Sequence, residues 1–273
     1  MELPAGIEKI LLQVVDVTFM LWPRRSPEPN KLRHCKIVSH RGEHDNIRVY
    51  ENTMAAFDRA QAQAIWGIEF DVRWTRDLQP VVAHDPDLKR VFGIDTTIAA
   101  VDFKHLRSRC PQVPLLSEVV AKYGRQMHLM VEIKEEIYPD PERQNAIFHD
   151  CFAPLEPGTD YHLMSLTPRM FDLVTFIPPS AFIPIATLDM ARFSNLALDK
   201  RYGGVAGHYL LLTDAILQKH HRSGQAVGTG YPRSKNCLLR EINRGVEWIF
   251  SNNAGELMAI VNKLASQSRN LAL

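Results

Sequence analysis

From Lys36 onward, short apolar runs alternate with longer stretches of helical spacing, and this alternation constrains the chain more than any other feature. Where each strand is followed by a helix, the strands can pair in parallel, with the helices serving as crossovers. Eight runs qualify as strands, at 37–40, 67–74, 129–134, 161–166, 182–188, 203–207, 226–229 and 248–252. Eight is the number that closes a barrel. The expected fold is therefore α/β, a (β/α)8 TIM barrel in a single domain over 34–273, a length such barrels commonly have. One gap is too wide for a single helix. It holds a β-like run at 80–84 and then an aperiodic insertion at about 86–114, expected on the face of the barrel that carries active-site loops.

Residues 1–33 form a lead-in, with an apolar run at 8–22 interrupted by Asp16 and set off from the body by the proline-rich stretch 26–31. The run lacks a basic leader and a small-residue cleavage site, and it is too short and polar to span a bilayer. A helix docked on the bottom of the barrel is expected there, and a peripheral membrane helix is the competing reading. The formal net charge of +1 gives no basic surplus for nucleic acid to reward, so DNA and RNA are not expected partners. Cys35, Cys110, Cys151 and Cys237 are far apart and form no zinc spacing, which suits reduced thiols in a cytoplasmic protein. Nothing in the sequence fixes the oligomeric state.

The chemistry concentrates at strand ends. In the run 67–72, Glu69 and Asp71 are two residues apart, so period-two alternation puts both carboxylates on one face, the barrel interior. Adjacent buried carboxylates repel, and they need a cation, a shared proton or arginine partners; a divalent metal satisfies them most simply. Glu132 and Lys134 show the same two-residue step on the next strand. Three carboxylates from neighbouring strands offer hard oxygen ligands that suit Mg2+ or Ca2+ better than zinc, and Lys134 adds a positive charge where a phosphoryl oxygen could sit.

The stretch 73–84 reads as a hairpin, and a turn centred near Asp77 and Leu78 sets His84 opposite Asp71. His40-Arg41-Gly42 ends the first strand, with a glycine for a close turn and an arginine able to clamp phosphate. Two strand-end imidazoles, His40 and His84, can divide acid and base work near neutral pH.

In order along the chain, HRG at 40–42, ENT with AF at 51–57, GIEFDVRWTRD at 67–77, PVVAHD at 80–85 and VEIK at 131–134 resemble the successive motifs of the glycerophosphodiester phosphodiesterase family. The resemblance runs from Lys36 to about Leu257. It implies a metal site of Glu69, Asp71 and Glu132 holding one divalent cation, Mg2+ or Ca2+ with Mn2+ as a third candidate. It implies His40 and His84 as the catalytic acid/base pair, and Arg41 and Lys134 as phosphate-binding cations. The implied reaction is hydrolysis of a small-molecule glycerophosphodiester to glycerol 3-phosphate and an alcohol. We assign His40 as general base and His84 as general acid. A lysophospholipase D-like lipid phosphodiesterase is the second enzyme reading, and a non-catalytic barrel that binds phosphorylated ligands the third. The chain departs from the family pattern at Tyr50, where a proline is usual, and at 227–231, where a tryptophan-threonine pair is usual. With Tyr231 there, the alcohol pocket is expected to be wider or differently walled.

Other residues read as structural. His44 is expected in solvent, and His220 with His221 at a helix C-terminus, where imidazolium complements the helix dipole. His128, His149, His162 and His208 have no evident partner, and the glycines at 203, 204 and 207 fit backbone crowding better than a phosphate loop.

Overall fold

A computed structural model of the protein describes residues 20–232 and 234–270. Eight parallel strands close on themselves: β1 (Lys36–His40), β2 (Gly67–Trp74), β4 (His128–Ile133), β5 (Tyr161–Ser165), β6 (Phe182–Ala186), β7 (Gly204–His208), β8 (Ala226–Gly230) and β9 (Trp248–Ser251). Going round the barrel, the order is β1, β9, β8, β7, β6, β5, β4, β2, and pairing of β1 with β2 completes the ring. All eight anticipated strands are present. The ninth, β3 (Pro80–Val82), is antiparallel to β2 and lies outside the ring.

Alternation along each strand separates two cores. Outward-facing Ile68, Phe70 and Val72 pack with the helices in one large cluster, while Val38, Met130, Met164, Ile183, Ala206, Trp248 and Phe250 fill the barrel. Each fully buried aliphatic side chain contributes roughly 1.5–3 kcal/mol by leaving water. Helix α1 (Met54–Ala62) begins at Thr53, whose Oγ1 accepts a hydrogen bond from Ala56 N at 3.3 Å, and it turns Ala56, Phe57 and Ala60 onto the barrel. The segment after β3 folds into α2 (Lys89–Phe92) and α3 (Phe103–Arg109), and Leu88, Ile98, Leu106, Cys110 and Val113 bury a core of their own.

The anticipated helix at 8–22 lies mostly outside the described residues. Of it, Met20, Leu21 and Trp22 are described, and all three are exposed. No helix among the described residues is long and apolar enough to cross a membrane.

Two histidine expectations are corrected here. His220, in α4 (Asp214–Arg222), is fully buried; Ser194 Oγ and Gln225 Oε1 each lie 2.8 Å from its ring nitrogens, and burial lowers its pKa. It is a neutral core residue rather than a charged helix cap. His128 and His162, at the N-terminal ends of β4 and β5, do have a partner: each other, with His128 Nε2 2.8 Å from His162 Nδ1. Trp66 stacks on His128, and Trp248 meets His162 edge-on. Burial, joined by its partner's charge, pushes His128 down to about 3; burial, with the Lys36 charge, pushes His162 down to about 4.

Because both pKa values are depressed, the unfolded chain binds protons that the folded protein refuses. Stability from this pair is complete above the unfolded histidine pKa of ~6.5 and is lost as pH falls from there toward the folded values. About 2 kcal/mol per histidine should disappear between pH 7 and pH 5. Denaturant unfolding at the two pH values should show this loss. A His128→Gln/His162→Gln variant should be less pH-sensitive, and an identical slope in the variant would remove the pair as the cause.

Candidate active site

The site forms where β1, β2 and β4 end together. Register places His40 beside Glu69 and Asp71 beside Glu132, so the sequence pattern becomes a single cluster. Glu69, Asp71 and Glu132 are buried, and each offers an oxygen within 4.8 Å of the others. Lys134, just past β4, reaches between them, with Nζ 2.8 Å from Asp71 Oδ1 and 2.7 Å from Glu132 Oε1.

The three acids do not share one electrostatic state. Burial works against the Asp71 anion, but the Lys134 and Arg41 charges outweigh it and hold this carboxyl well below the usual range. Burial raises Glu69, and the Asp71 and Glu132 charges add to the rise. Glu132 is raised for the same reasons, burial first and Asp71 second. Protein cations thus neutralise one carboxylate and leave the other two short of positive charge. A divalent cation with oxygen preference fits that deficit.

The His-Arg-Gly turn is built to point backbone and side chain at these acids. Arg41 and Gly42 have φ of 59° and 79°, and a Cβ on Gly42 would stand 2.7 Å from Ala56 Cβ, so only glycine fits. Arg41 N donates to Glu69 O at 2.8 Å, and Arg41 Nε lies 3.3 Å from Asp71 Oδ2. Asn52 closes the turn from the other side: its backbone N donates to Arg41 O at 3.0 Å, and its Nδ2 to Asp71 Oδ2 at 2.8 Å.

The two imidazoles face the cavity with different supports. His40 Nδ1 donates to Asn252 Oδ1 at 2.6 Å, which leaves the Nε2 lone pair inside the site, 3.2 Å from the Tyr231 hydroxyl. Burial and the Arg41 charge push His40 down to about 4. His84 Nδ1 donates to the Asp85 carboxylate at 2.6 Å. Burial lowers its pKa too, opposed by the Asp71 charge and the Asp85 hydrogen bond. The hairpin register differs by one from the expected pairing: Val72 faces Val82, and Ala83 N, not His84, bonds to Asp71 O. His84 nevertheless lines the same cavity as His40, Arg41, Glu69, Glu132 and Lys134. Asp71, behind these groups, is fully buried.

Several supporting residues went unassigned at the sequence level. Glu51 Oε1 accepts from Arg41 Nη1 at 2.9 Å and from Arg90 Nη2 at 2.7 Å, and Arg90 Nε also holds Asp85 Oδ2 at 2.5 Å. One arginine of α2 therefore ties the carboxylate behind Arg41 to the carboxylate behind His84. Glu51, Asn52 and Asp85 lie inside recognisable motifs and could have been suspected; Arg90 and Asn252 carry no local signal. His44 is not solvated as expected, since both of its ring nitrogens are buried.

Fold and site together define a class: a closed (β/α)8 barrel whose C-terminal mouth gathers three carboxylates, two imidazoles and two cations. Residues 40–149 match the model of the glycerophosphoryl diester phosphodiesterase family. A glycerophosphodiester phosphodiesterase of Bacillus altitudinis is 31% identical over 119 residues, covering 39% of this chain and 48% of that protein. A human lysophospholipase D is 37% identical over 91 residues, 33% of this chain and 26% of its own. The chain thus spans about half or less of the length of these curated relatives. Among solved structures, a glycerophosphodiester phosphodiesterase from Thermotoga maritima superposes with a TM-score of 0.68 at 21% identity, over 83% of this chain and 98% of its own. A phosphodiesterase of Oleispira antarctica, solved with its product sn-glycerol-3-phosphate, gives 0.65 at 20% identity over 83% and 96%. At such identities these two speak for the fold.

Proposed function

We propose that the chain is a divalent-metal-dependent phosphodiesterase that hydrolyses glycerophosphodiesters to glycerol 3-phosphate and an alcohol. The observation that carries this reading is the convergence of Glu69, Asp71 and Glu132 within 4.8 Å, beside two histidines that are held by different partners.

Glu69, Asp71 and Glu132 would hold the cation, Mg2+, Ca2+ or Mn2+, as hard oxygen donors. When bound, such an ion polarises a phosphoryl oxygen and offsets negative charge as it develops. Arg41 and Lys134 meet the remaining phosphate oxygens, Arg41 through its planar fork and Lys134 as a point charge. His40 is the general base. Its neutral amide partner, Asn252, supports imidazolium less than a carboxylate would, and burial keeps its Nε2 unprotonated, ready to take a proton from the attacking hydroxyl or water. His84 is the general acid, because the Asp85 carboxylate stabilises its protonated form. As the new oxygen–phosphorus bond forms, the bond from phosphorus to the alcohol oxygen breaks, and the departing oxygen takes the His84 proton. Every polar group of the reaction except Asp71, which is buried directly behind them, lines one cavity, which argues against a barrel that only binds.

Metal binding can be read without turnover. An ion bound at 100 times its Kd should raise folding stability by about 2.7 kcal/mol. Thermal unfolding with millimolar Mg2+, Ca2+ or Mn2+ should therefore shift upward, and the shift should vanish in Glu132→Gln. No shift with any of the three ions would remove the metal from the account.

A further inference from the structure

The His40 imidazole is held at both nitrogens, by two segments that arrive together. In the barrel ring β9 lies beside β1 and β8 beside β9, so the residues that leave β9 and β8 meet over the end of β1. Asn252, just past β9, takes the Nδ1 hydrogen at 2.6 Å. Tyr231, just past β8, brings its hydroxyl to 3.2 Å from Nε2, and its ring stands edge-on to the imidazole with centroids 4.9 Å apart. Because Nδ1 carries the hydrogen, Nε2 is an acceptor, and the phenol, which keeps its proton at neutral pH, is the donor. Glu69 Oε2 lies 3.8 Å from the same nitrogen, too far for a hydrogen bond.

The lone pair that must take a proton from the attacking group is thus already in use. One lone pair accepts one hydrogen, so deprotonation of a hydroxyl or a water requires the Tyr231 hydroxyl to leave first. The main chain on either side of Tyr231 is tied down: Gly230 O accepts from Tyr209 N at 2.9 Å, and Pro232 O from Ser251 Oγ at 3.2 Å. Movement therefore falls to the side chain. Tyr231 lines the cavity yet is 37% exposed, so its ring has solvent beside it into which it can turn. Such rotamer changes are fast in exposed residues.

We propose that Tyr231 is a displaceable cap on the general base: its hydroxyl occupies His40 Nε2 in the free site and yields that nitrogen to the hydroxyl or water that is to be deprotonated. The phenol proton stays on its own oxygen throughout, and only the hydrogen bond changes hands. The cap keeps solvent away from the base until an occupant pushes it aside, which ties activation of the nucleophile to filling of the site. The proposal deepens the phosphodiesterase reading and rests on it for the role of His40.

Tyr231→Phe tests it, since this change keeps the ring and removes the hydroxyl alone. Diethylpyrocarbonate acylates an unprotonated imidazole nitrogen, and peptide mass spectrometry follows His40 and His84 separately in the same full-length protein with Mg2+ present. His40 should be modified about two- to tenfold faster in the variant than in the wild type, the worth of one neutral hydrogen bond, with His84 as the internal reference. An unchanged or slower rate at His40 overturns the cap. On glycerophosphocholine the variant should show a KM lower by about the same factor, and the change should appear in KM rather than in kcat, because the Tyr231 hydrogen bond is absent from the bound state and the transition state alike. A KM that does not fall, or a loss in kcat, would mean that the hydroxyl serves the bound substrate, and overturns the proposal as well. If neither protein turns the diester over, the phosphodiesterase reading fails, and the modification rate alone decides whether the Tyr231 hydroxyl covers His40.

Discussion

Asp71→Asn will cost about 100-fold to several thousand-fold in kcat/KM on a glycerophosphodiester, the largest loss expected from any isosteric change in the chain. Asp71 is fully buried, and its two oxygens meet Lys134 at 2.8 Å, Arg41 at 3.3 Å and Asn52 at 2.8 Å. Removing one preorganised electrostatic group at a reacting centre costs about 100- to 1,000-fold in turnover, and weakened metal affinity adds to that, which sets the range. The amide keeps the shape and can still accept from Asn52, so the fold should survive. Removing one of three crowded negative charges also relieves Glu69 and Glu132, whose pKa values Asp71 helps to raise. Circular dichroism should show a native fold while metal affinity and turnover both drop. Turnover within fivefold of wild type would show that Asp71 neither holds the ion nor orders the two phosphate-binding cations.

The two histidines should separate on leaving-group chemistry. General acid catalysis contributes typically ~100- to 10,000-fold, and only when the departing oxygen needs a proton. Choline or glycerol leaves badly; p-nitrophenolate leaves well. His84→Ala should therefore lose most activity on glycerophosphocholine and retain much of it on a p-nitrophenyl phosphodiester. His40→Ala should be crippled on both. The 2.6 Å contact of His84 with Asp85 and of His40 with Asn252 predicts this direction, since a charged carboxylate supports imidazolium more strongly than a neutral amide does. Rescue of His40→Ala by the good leaving group would reverse the roles, and rescue of neither would end the division into acid and base.

What was legible in the chain followed from local periodicity. The alternation in 67–72 and 129–134 was enough to bring Glu69, Asp71 and Glu132 to one face, because a strand has no other way to direct them. The hairpin was read one residue out, since its turn is centred on Asp77: Thr75 N bonds to Gln79 O at 3.1 Å, and Leu78 takes a φ of 59°. That geometry is decided by turn hydrogen bonds that the apolar pattern does not encode. His220 was misread because its partners, Ser194 and Gln225, come from outside its helix. Asn252 and Arg90 escaped for a similar reason: each meets its histidine or carboxylate only after the barrel has closed or the segment after β3 has folded back.

If three carboxylates and two histidines make this chain a metal-dependent phosphodiesterase, product formation will show it directly. Purified full-length protein is incubated with glycerophosphocholine, first in excess chelator and then with Mg2+, Ca2+ or Mn2+ restored, and phosphorus NMR follows the conversion of diester to monoester. No conversion is expected in chelator, and stoichiometric glycerol 3-phosphate is expected once an ion is restored. Full turnover in chelator would contradict the metal site, and an intact diester signal with every ion, for lysophosphatidylcholine as well as glycerophosphocholine, would contradict the activity itself.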